Sequence, residues 1–175
     1  MVQDNIVLKT MEKSYILLGS NMGERISILA EARIMIEARC GRIDKMSSLY
    51  ESEPWGFDAE QNFINQAICV ETDLSAHELL RELLSIEIEL GRDRSRHYET
   101  YVSRPIDLDV IYYGDMINDD EDVILPHPRL QLRRFVLEPL CEIASDFVHP
   151  VLKKTNIELR DVCPDTSDVS LYKGK

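Results

Sequence analysis

Two aspartates, Asp107 and Asp109, stand two positions apart in an apolar segment, residues 106–113, that has the pattern of a β-strand. Because side chains alternate along a strand, both carboxylates lie on one face, roughly 6.5–7 Å apart along the backbone. Two like charges at that spacing are costly to bury without a cation. Carboxylates so placed could bind a pair of Mg²⁺ ions and leave coordination sites for phosphate oxygens. The alternative is a strand with one solvated polar face.

Arginines are concentrated on both sides of this strand. No residue from 92 to 134 is a lysine, and the arginines of this stretch are Arg92, Arg94, Arg96, Arg104, Arg129, Arg133 and Arg134. Arginine carries a permanent charge and can contact a phosphate with two N–H groups at once, so the cluster is suited to hold a polyphosphate. For any single arginine, a solvated basic loop is the alternative interpretation.

A histidine and an aromatic loop are further candidates for a site. His127 lies between two prolines, which restrict the backbone and orient an imidazole that can donate to phosphate. Residues 54–57 (PWGF), Phe63 and Asn65 offer flat rings for stacking on a planar heterocycle, and one amide that can pair with a lactam edge. A surface turn at His127 and core positions for the aromatic residues are the alternatives.

The composition excludes several classes of function. The net charge of −12, from 20 Lys and Arg against 32 Asp and Glu, disfavours a nucleic-acid partner because it repels the phosphate backbone. The four cysteines form no zinc or C-x-x-C pattern and are expected to be free and buried. We expect a cytoplasmic protein, since no stretch approaches the ~18 apolar residues of a membrane span and no signal-peptide core is visible. The sequence has neither a P-loop nor a G-x-G-x-x-G motif, so if ATP binds, its phosphates must be held by metals and arginines.

The elements that must position these residues follow the order β-α-β-β-α-β. The expected strands are 15–18, 43–50, 65–72 and 106–113, and the expected helices are 26–39 and one running from a capping box at Ser75 and Glu78 to Gly91. This order predicts an α+β, ferredoxin-like sandwich. Two right-handed crossovers are expected to place the first and last strands side by side in the sheet centre, with both helices on one face.

Other segments extend this core. Residues 51–64 and 92–104 are predicted to form two long active-site loops, and such lengths are usually functional or disordered. Residues 129–144 add C-terminal helical material. The expected organisation is a flexible leader at 1–13, one domain at 14–152, and a polar tail without assigned structure at 153–175.

Five segments, in this order, resemble the 6-hydroxymethyl-7,8-dihydropterin pyrophosphokinases, the enzymes that precede dihydropteroate synthase in folate synthesis. The segments are YILLGSN (15–21), YESEPWG (50–56), ELGRDR (89–94), RPIDLD (104–109) and LPHPR (125–129). The arginine followed by the D-L-D strand is the most specific. The resemblance implies transfer of the terminal pyrophosphate of ATP to the hydroxymethyl oxygen of the pterin, with AMP leaving, and no general base is assigned.

The resemblance also implies roles for individual residues. Asp107 and Asp109 correspond to the ligands of two Mg²⁺ ions, and with Arg92 and Arg104 they are the expected catalytic residues. The expected ATP contacts are Glu87, Arg94, Val110, His127 and Arg133, and the expected pterin contacts are Ser52, Trp55, Phe63, Asn65 and Phe135. We expect a monomer whose partners are ATP and the pterin.

The chain departs from the family pattern at several places, one of them Phe63, where a tyrosine is common. Residues 101–103 are Tyr-Val-Ser where the family often has Trp-Gly-Pro, which bears on how the loop 92–104 closes. Glu53 follows Ser52 where proline is common. Two rival functions are another ATP-dependent pyrophosphokinase or nucleotidyl transferase with the same metal pair, and a ferredoxin-like binding module without catalysis.

Overall fold

The structure is a computed structural model that describes residues 10–54, 59–93 and 102–174. Its strands are β1 (Glu12–Ser20), β2 (Arg42–Met46), β3 (Tyr50–Ser52), β4 (Phe63–Thr72), β5 (Asp107–Tyr113), β6 (Asn118–Asp120), β7 (Val123–Leu125) and β8 (Val169–Leu171). Its helices are α1 (Arg25–Arg39), α2 (Ala76–Glu89), α3 (Arg134–Ala144) and α4 (Asn156–Asp161), with a 3-10 turn at Leu130–Leu132.

One antiparallel sheet organises these elements, in the order β5-β1-β4-β3-β8, with β2 also paired to β4. The predicted β-α-β-β-α-β order is confirmed, with β2 and β3 together in the place of the single second strand. β1 and β5 are neighbours as predicted, but β5 lies at the edge of the sheet and not in its centre. The reason is that the crossover through α2 leaves from β4 and passes over β1, so β5 can pair only on the outer side of β1.

Helices cover both faces of the sheet, where only one covered face was predicted. On one face α1 and α2 pack on Ile16, Leu18 and neighbouring strand residues. On the other face α3 and α4 pack on Tyr15 and Leu17. Burial on both faces explains why the first strand is an unbroken apolar run without a polar alternation.

Local signals mark the ends of the helices as predicted. Ser75 accepts a hydrogen bond from the backbone N–H of Glu78, whose side chain accepts from the Ser75 backbone, so the capping box is present. Gly41, after α1, has a φ of +137°, and a Cβ there would lie 2.1 Å from the carbonyl oxygen of Glu71. Gly91, after α2, also has a positive φ, of +95°.

The ordered fold is wider than the predicted domain at 14–152. Glu12 and Lys13, expected in the leader, begin β1, while residues 1–9 lie outside the described ranges. Two elements lie in the predicted polar tail. In α4, Asn156 Oδ1 accepts a hydrogen bond from the Tyr112 hydroxyl at 2.8 Å. β8 pairs with β3 and so extends the sheet. A short polar helix and a three-residue strand give too weak a periodicity to be predicted.

All four cysteines are free thiols, as predicted, and Cys163 is the one that is only partly buried. Burial raises the pKa of the Cys40 thiol to about 12, so it is uncharged at neutral pH. Within the described ranges, none of the helices has the length and apolar character needed to cross a membrane.

Candidate active site

The chemically distinctive residues meet at one end of the sheet. Because β1 runs antiparallel to both neighbours, its last residues lie beside the first residues of β4 and β5, and Gly19 pairs with Asn65 on one side and Asp107 on the other. The start of α3 adds the outer wall. The resulting pocket, called here the first pocket, is lined by Leu17, Gly19, Ser52, Glu53, Phe63, Asn65, Arg104, Asp107, Asp109, Arg133 and Phe135.

The amide of Asn65 is oriented by its neighbours. Its Nδ2 donates to Ser52 Oγ at 2.8 Å, and both residues are buried. Its Oδ1 lies over Gly19, where a Cβ would approach to 3.2 Å, so the absence of a side chain leaves room for this oxygen. The bond to Ser52 fixes the orientation of the amide, so its acceptor, Oδ1, is held in place for a hydrogen bond from a ligand.

Asp107 is held between two arginines. Arg92 Nη1 donates to Asp107 Oδ1, and Arg104 Nη1 donates to Asp107 Oδ2 at 3.1 Å. These three side chains are partly buried, which strengthens their attraction relative to an exposed ion pair. Both catalytic arginines named from the sequence therefore converge on the first carboxylate of the D-L-D strand.

Glu87 lies beneath the site and lines neither of the pockets described here. Its carboxylate Oε1 accepts from Arg92 at 2.6 Å and from the backbone N–H of Leu108 at 2.7 Å, and the residue is 1% exposed. It therefore links α2 to β5 and orients Arg92. In this arrangement Glu87 supports Arg92 and the start of β5 without itself lining the first pocket.

Among the residues that the structure describes, Asp109 has no arginine as close as those on Asp107. Burial raises the pKa of Asp109 well above its usual value, and the negative charges of Asp107 and Glu87 raise it further, against the charges of Arg133 and Arg104. Ionising this carboxyl is thus costly in the protein alone. A cation beside Asp109 would offset that cost.

These carboxylates suit Mg²⁺, which binds through one or two protein carboxylates and completes its shell with water and substrate phosphates. Among residues 10–54, 59–93 and 102–174 no group of three or more His, Cys, Asp or Glu is arranged to hold a metal ion. Asp107 and Asp109 are thus two protein carboxylates that could serve an ion whose other ligands are water and phosphate oxygens.

A second pocket adjoins the first, and Asp109 lines both. It is lined by Leu80, Leu108, Asp109, Val110, Glu121, Asp122, Val123, Ile124, Leu125, His127 and Pro128. Val110 and His127, predicted ATP contacts, are both here. Its mostly aliphatic wall with a few polar groups is typical of a small-molecule site.

A β-bulge in β5 positions His127. Tyr15 pairs with Tyr112 while Ile16 pairs with Val110, which leaves Ile111 as the extra residue, and its carbonyl accepts the backbone N–H of His127 at 3.0 Å. His127 Nδ1 accepts from the Arg129 backbone N–H at 3.2 Å. Burial and then the charges of Arg133 and Arg129 lower the pKa of His127 to about 4, so the ring is neutral at pH 7 and its proton is on Nε2.

Asn21 is a residue that sequence reasoning did not assign to the site. Its Oδ1 accepts from the Arg104 backbone N–H at 2.8 Å, and its Nδ2 donates to Ser103 Oγ at 3.0 Å. A backbone bond from Asn21 N–H to the Arg104 carbonyl, at 3.3 Å, completes the contact. The end of β1 thus holds the segment that carries Arg104.

Several predicted features lie outside the described residues. Trp55, Arg94 and most of residues 92–104 are among them, so the roles expected of these residues stay predictions. At the start of α3, the Arg133 guanidinium carbon lies 5.7 Å from the centre of the Phe135 ring.

Gly19, Asn21 and Glu53 were missed as site residues, although all three belong to the motif segments around 15–21 and 50–56.

Residues 15–145 match the 7,8-dihydro-6-hydroxymethylpterin-pyrophosphokinase (HPPK) family. The chain is 35% identical over 144 residues to the 2-amino-4-hydroxy-6-hydroxymethyldihydropteridine pyrophosphokinase of Porphyromonas gingivalis, covering 82% of this chain and 97% of that protein. It is 43% identical over 140 residues to the folic acid synthesis protein fol1 of Pneumocystis carinii, covering 80% of this chain but only 18% of that protein.

Solved structures support the fold. The HPPK-DHPS protein of Plasmodium falciparum aligns with a TM-score of 0.72 at 16% identity, over 89% of this chain and 45% of that one. This likeness shows a shared ferredoxin-like fold. The family is identified by the sequence matches. The chain belongs to the 7,8-dihydro-6-hydroxymethylpterin-pyrophosphokinase family. The family catalyses pyrophosphate transfer to hydroxymethyldihydropterin in folate biosynthesis, and this is the reaction assigned to the chain.

Proposed function

We propose that the pterin binds in the first pocket, that ATP binds in the second, and that pyrophosphate transfer takes place where the two pockets meet at Asp109. The shared position of Asp109 is the observation that carries this proposal. In the reaction the hydroxymethyl oxygen bonds to the β-phosphorus of ATP, the bond from that phosphorus to the bridging oxygen of the α-phosphate breaks, and AMP leaves with that oxygen. The hydroxyl proton passes to solvent.

The first pocket has the composition that a pterin needs. Phe63 and Phe135 supply aromatic rings that can stack on a flat heterocycle, and the Asn65 Oδ1 can accept an N–H of the pyrimidinone edge. Ser52 orients that amide. Trp55, outside the described residues, is proposed to contribute a further aromatic face.

The second pocket and the arginines are proposed to hold the nucleotide. Val110 and neighbouring aliphatic residues would contact the base, and the neutral His127 would donate from Nε2 to a phosphate oxygen. Arg92, Arg94, Arg104 and Arg133 are proposed to contact the polyphosphate, with Glu87 orienting Arg92. Arginines suit this role because their geometry matches phosphate oxygens.

Asp107 and Asp109 are proposed to hold two Mg²⁺ ions. When bound, the ions would neutralise phosphate charge and fix the orientation of the chain of phosphates. Occupation of Asp107 by a metal would release Arg92 and Arg104 from that carboxylate for contact with phosphate. The protein's contribution is then positioning and charge stabilisation, without a general base. A monomeric state and a cytoplasmic location are retained as predictions.

The decisive test is the identity of the nucleotide product. Incubation with ATP, Mg²⁺ and 6-hydroxymethyl-7,8-dihydropterin is expected to yield AMP and a diphosphorylated pterin in equal amounts. Omission of the pterin, or chelation of Mg²⁺, is expected to stop AMP formation. ADP as the main nucleotide, or AMP formation that does not depend on the pterin, would refute the proposal.

Asn65→Ala is expected to weaken pterin binding about 10- to 100-fold, because an unpaired buried polar group costs roughly 1–3 kcal/mol. ATP affinity should stay within about twofold, and calorimetry measures both. Gln66→Ala is the matched control: it removes the adjacent amide of β4, which donates to the Ser47 carbonyl at 2.7 Å and lines neither pocket. Equal losses of pterin affinity in the two variants would place the pterin elsewhere.

A further inference from the structure

Arg25 is placed where helix electrostatics disfavours it. It is the first residue of α1, and a positive charge at a helix N-terminus is opposed by the helix dipole. The preceding Glu24 makes no side-chain capping bond, and the first turn has no acidic residue. Helix stability therefore does not explain an arginine here, yet its side chain is only 18% exposed.

The Arg25 guanidinium bonds to β3 and to the residue that precedes β4, at the two strands that lead into the first pocket. Its Nη1 donates to the carbonyl oxygen of Asn62 at 2.6 Å and to Glu51 Oε1 at 3.3 Å. Asn62 immediately precedes Phe63, and Glu51 immediately precedes Ser52. Arg25 itself does not line the first pocket.

These contacts fall where the β3–β4 ladder ends. Ser52 and Phe63 form its last pair. The ladder therefore supplies no further backbone bond beyond Phe63, and Arg25 adds one at the next residue. A short ladder of three pairs is weak by itself, so an added charged donor at its open end restricts both strands.

We propose that Arg25 is a positioning residue for the pterin pocket: it joins Glu51 and Asn62 to α1 and so fixes Phe63 and the Ser52–Asn65 pair in the geometry that binds the heterocycle. Arg25 does not touch the pterin. The inference rests on the proposed assignment of the first pocket to the pterin. It also predicts that the effect of Arg25 is confined to one of the two substrates.

Arg25→Ala is expected to raise the dissociation constant and KM of the pterin about tenfold, the usual effect of losing one charge-assisted hydrogen bond. The affinity for ATP with Mg²⁺ should stay within about twofold, and kcat at saturating pterin should fall less than about threefold. Calorimetry with a non-transferable ATP analogue measures pterin binding, and steady-state rates give the split between KM and kcat. An unchanged pterin constant, or equal losses for both substrates, overturns the inference.

Arg39→Ala is the matched control, because Arg39 ends the same helix and donates from Nη1 and Nη2 to Glu89, each at 2.7 Å, away from both pockets. Arg39→Ala should leave the affinity for the pterin unchanged. A loss of pterin affinity equal to that of Arg25→Ala overturns the inference. Arg25→Lys keeps the charge and one donor, so it should recover part of the affinity, and no recovery counts against the inference. If Arg25→Ala does not fold, Arg25→Lys and Glu51→Ala decide, and each is expected to raise the dissociation constant of the pterin about threefold because one bond is weakened.

Asn65→Ala, measured in parallel, separates this inference from the pocket assignment. Loss of pterin affinity in Asn65→Ala without loss in Arg25→Ala overturns the role of Arg25 alone. Retention of pterin affinity in both variants overturns the assignment of the first pocket.

Discussion

Asp109→Asn is expected to lower turnover at least about 10²–10³-fold, since removing one electrostatic stabiliser of a transition state costs that much and a metal ligand should cost no less. The same change is expected to stabilise the metal-free protein at pH 8. The carboxyl has a folded pKa above its unfolded value, so as the pH rises above about 4 the folded protein keeps a proton that the unfolded chain releases. The free energy of unfolding therefore falls as the pH rises, until the folded pKa is passed. An asparagine does not ionise, so the variant does not lose this stability.

Asp107→Asn provides the contrast. It should lower turnover as strongly, but it should destabilise the fold, because Arg92 and Arg104 both lose a charged partner in a partly buried site. Thermal unfolding in the presence of a chelator, at pH 5 and pH 8, measures these opposite shifts. Near-normal turnover in either variant would refute the two-metal assignment, and equal destabilisation of both would contradict the electrostatic difference between the two carboxylates.

Arg104→Ala is expected to lower kcat about 10²-fold while the dissociation constant of ATP changes only a few-fold, because a charge that acts on the developing transition state contributes little to ground-state binding. Asn21 holds the Arg104 backbone in the free protein through two hydrogen bonds of 2.8 and 3.3 Å. The residue is therefore placed before the substrate arrives, which favours a catalytic over a binding role.

Arg104→Lys tests the geometry of that contact. A lysine keeps the charge but lacks the planar two-donor group, so it should restore only part of the lost turnover. Rapid-quench measurement of AMP formation and equilibrium titration with ATP give the two quantities separately. An ATP affinity that falls as much as kcat would make Arg104 a simple ATP-binding residue.

Local sequence patterns predicted several features that the structure confirms. The alternation around Asp107 and Asp109 predicted that both carboxylates share one face of β5, opposite the buried Leu108. The capping box at Ser75 and the glycine after α2 predicted the ends of that helix. These features are predictable because they depend on periods and contacts within a few residues.

By itself the sequence determined the family, through five ordered segments, and with it the β-α-β-β-α-β order and the identity of most residues that line the first pocket. Only the tertiary structure decided that β5 lies at the sheet edge, that a bulge at Ile111 carries His127, and that α3 covers the second face. It also decided the contact of Asn21 with Arg104, across 83 positions, and that of Arg25 with Asn62, across 37. Such contacts depend on how distant segments are brought together by the sheet, and no local period records them.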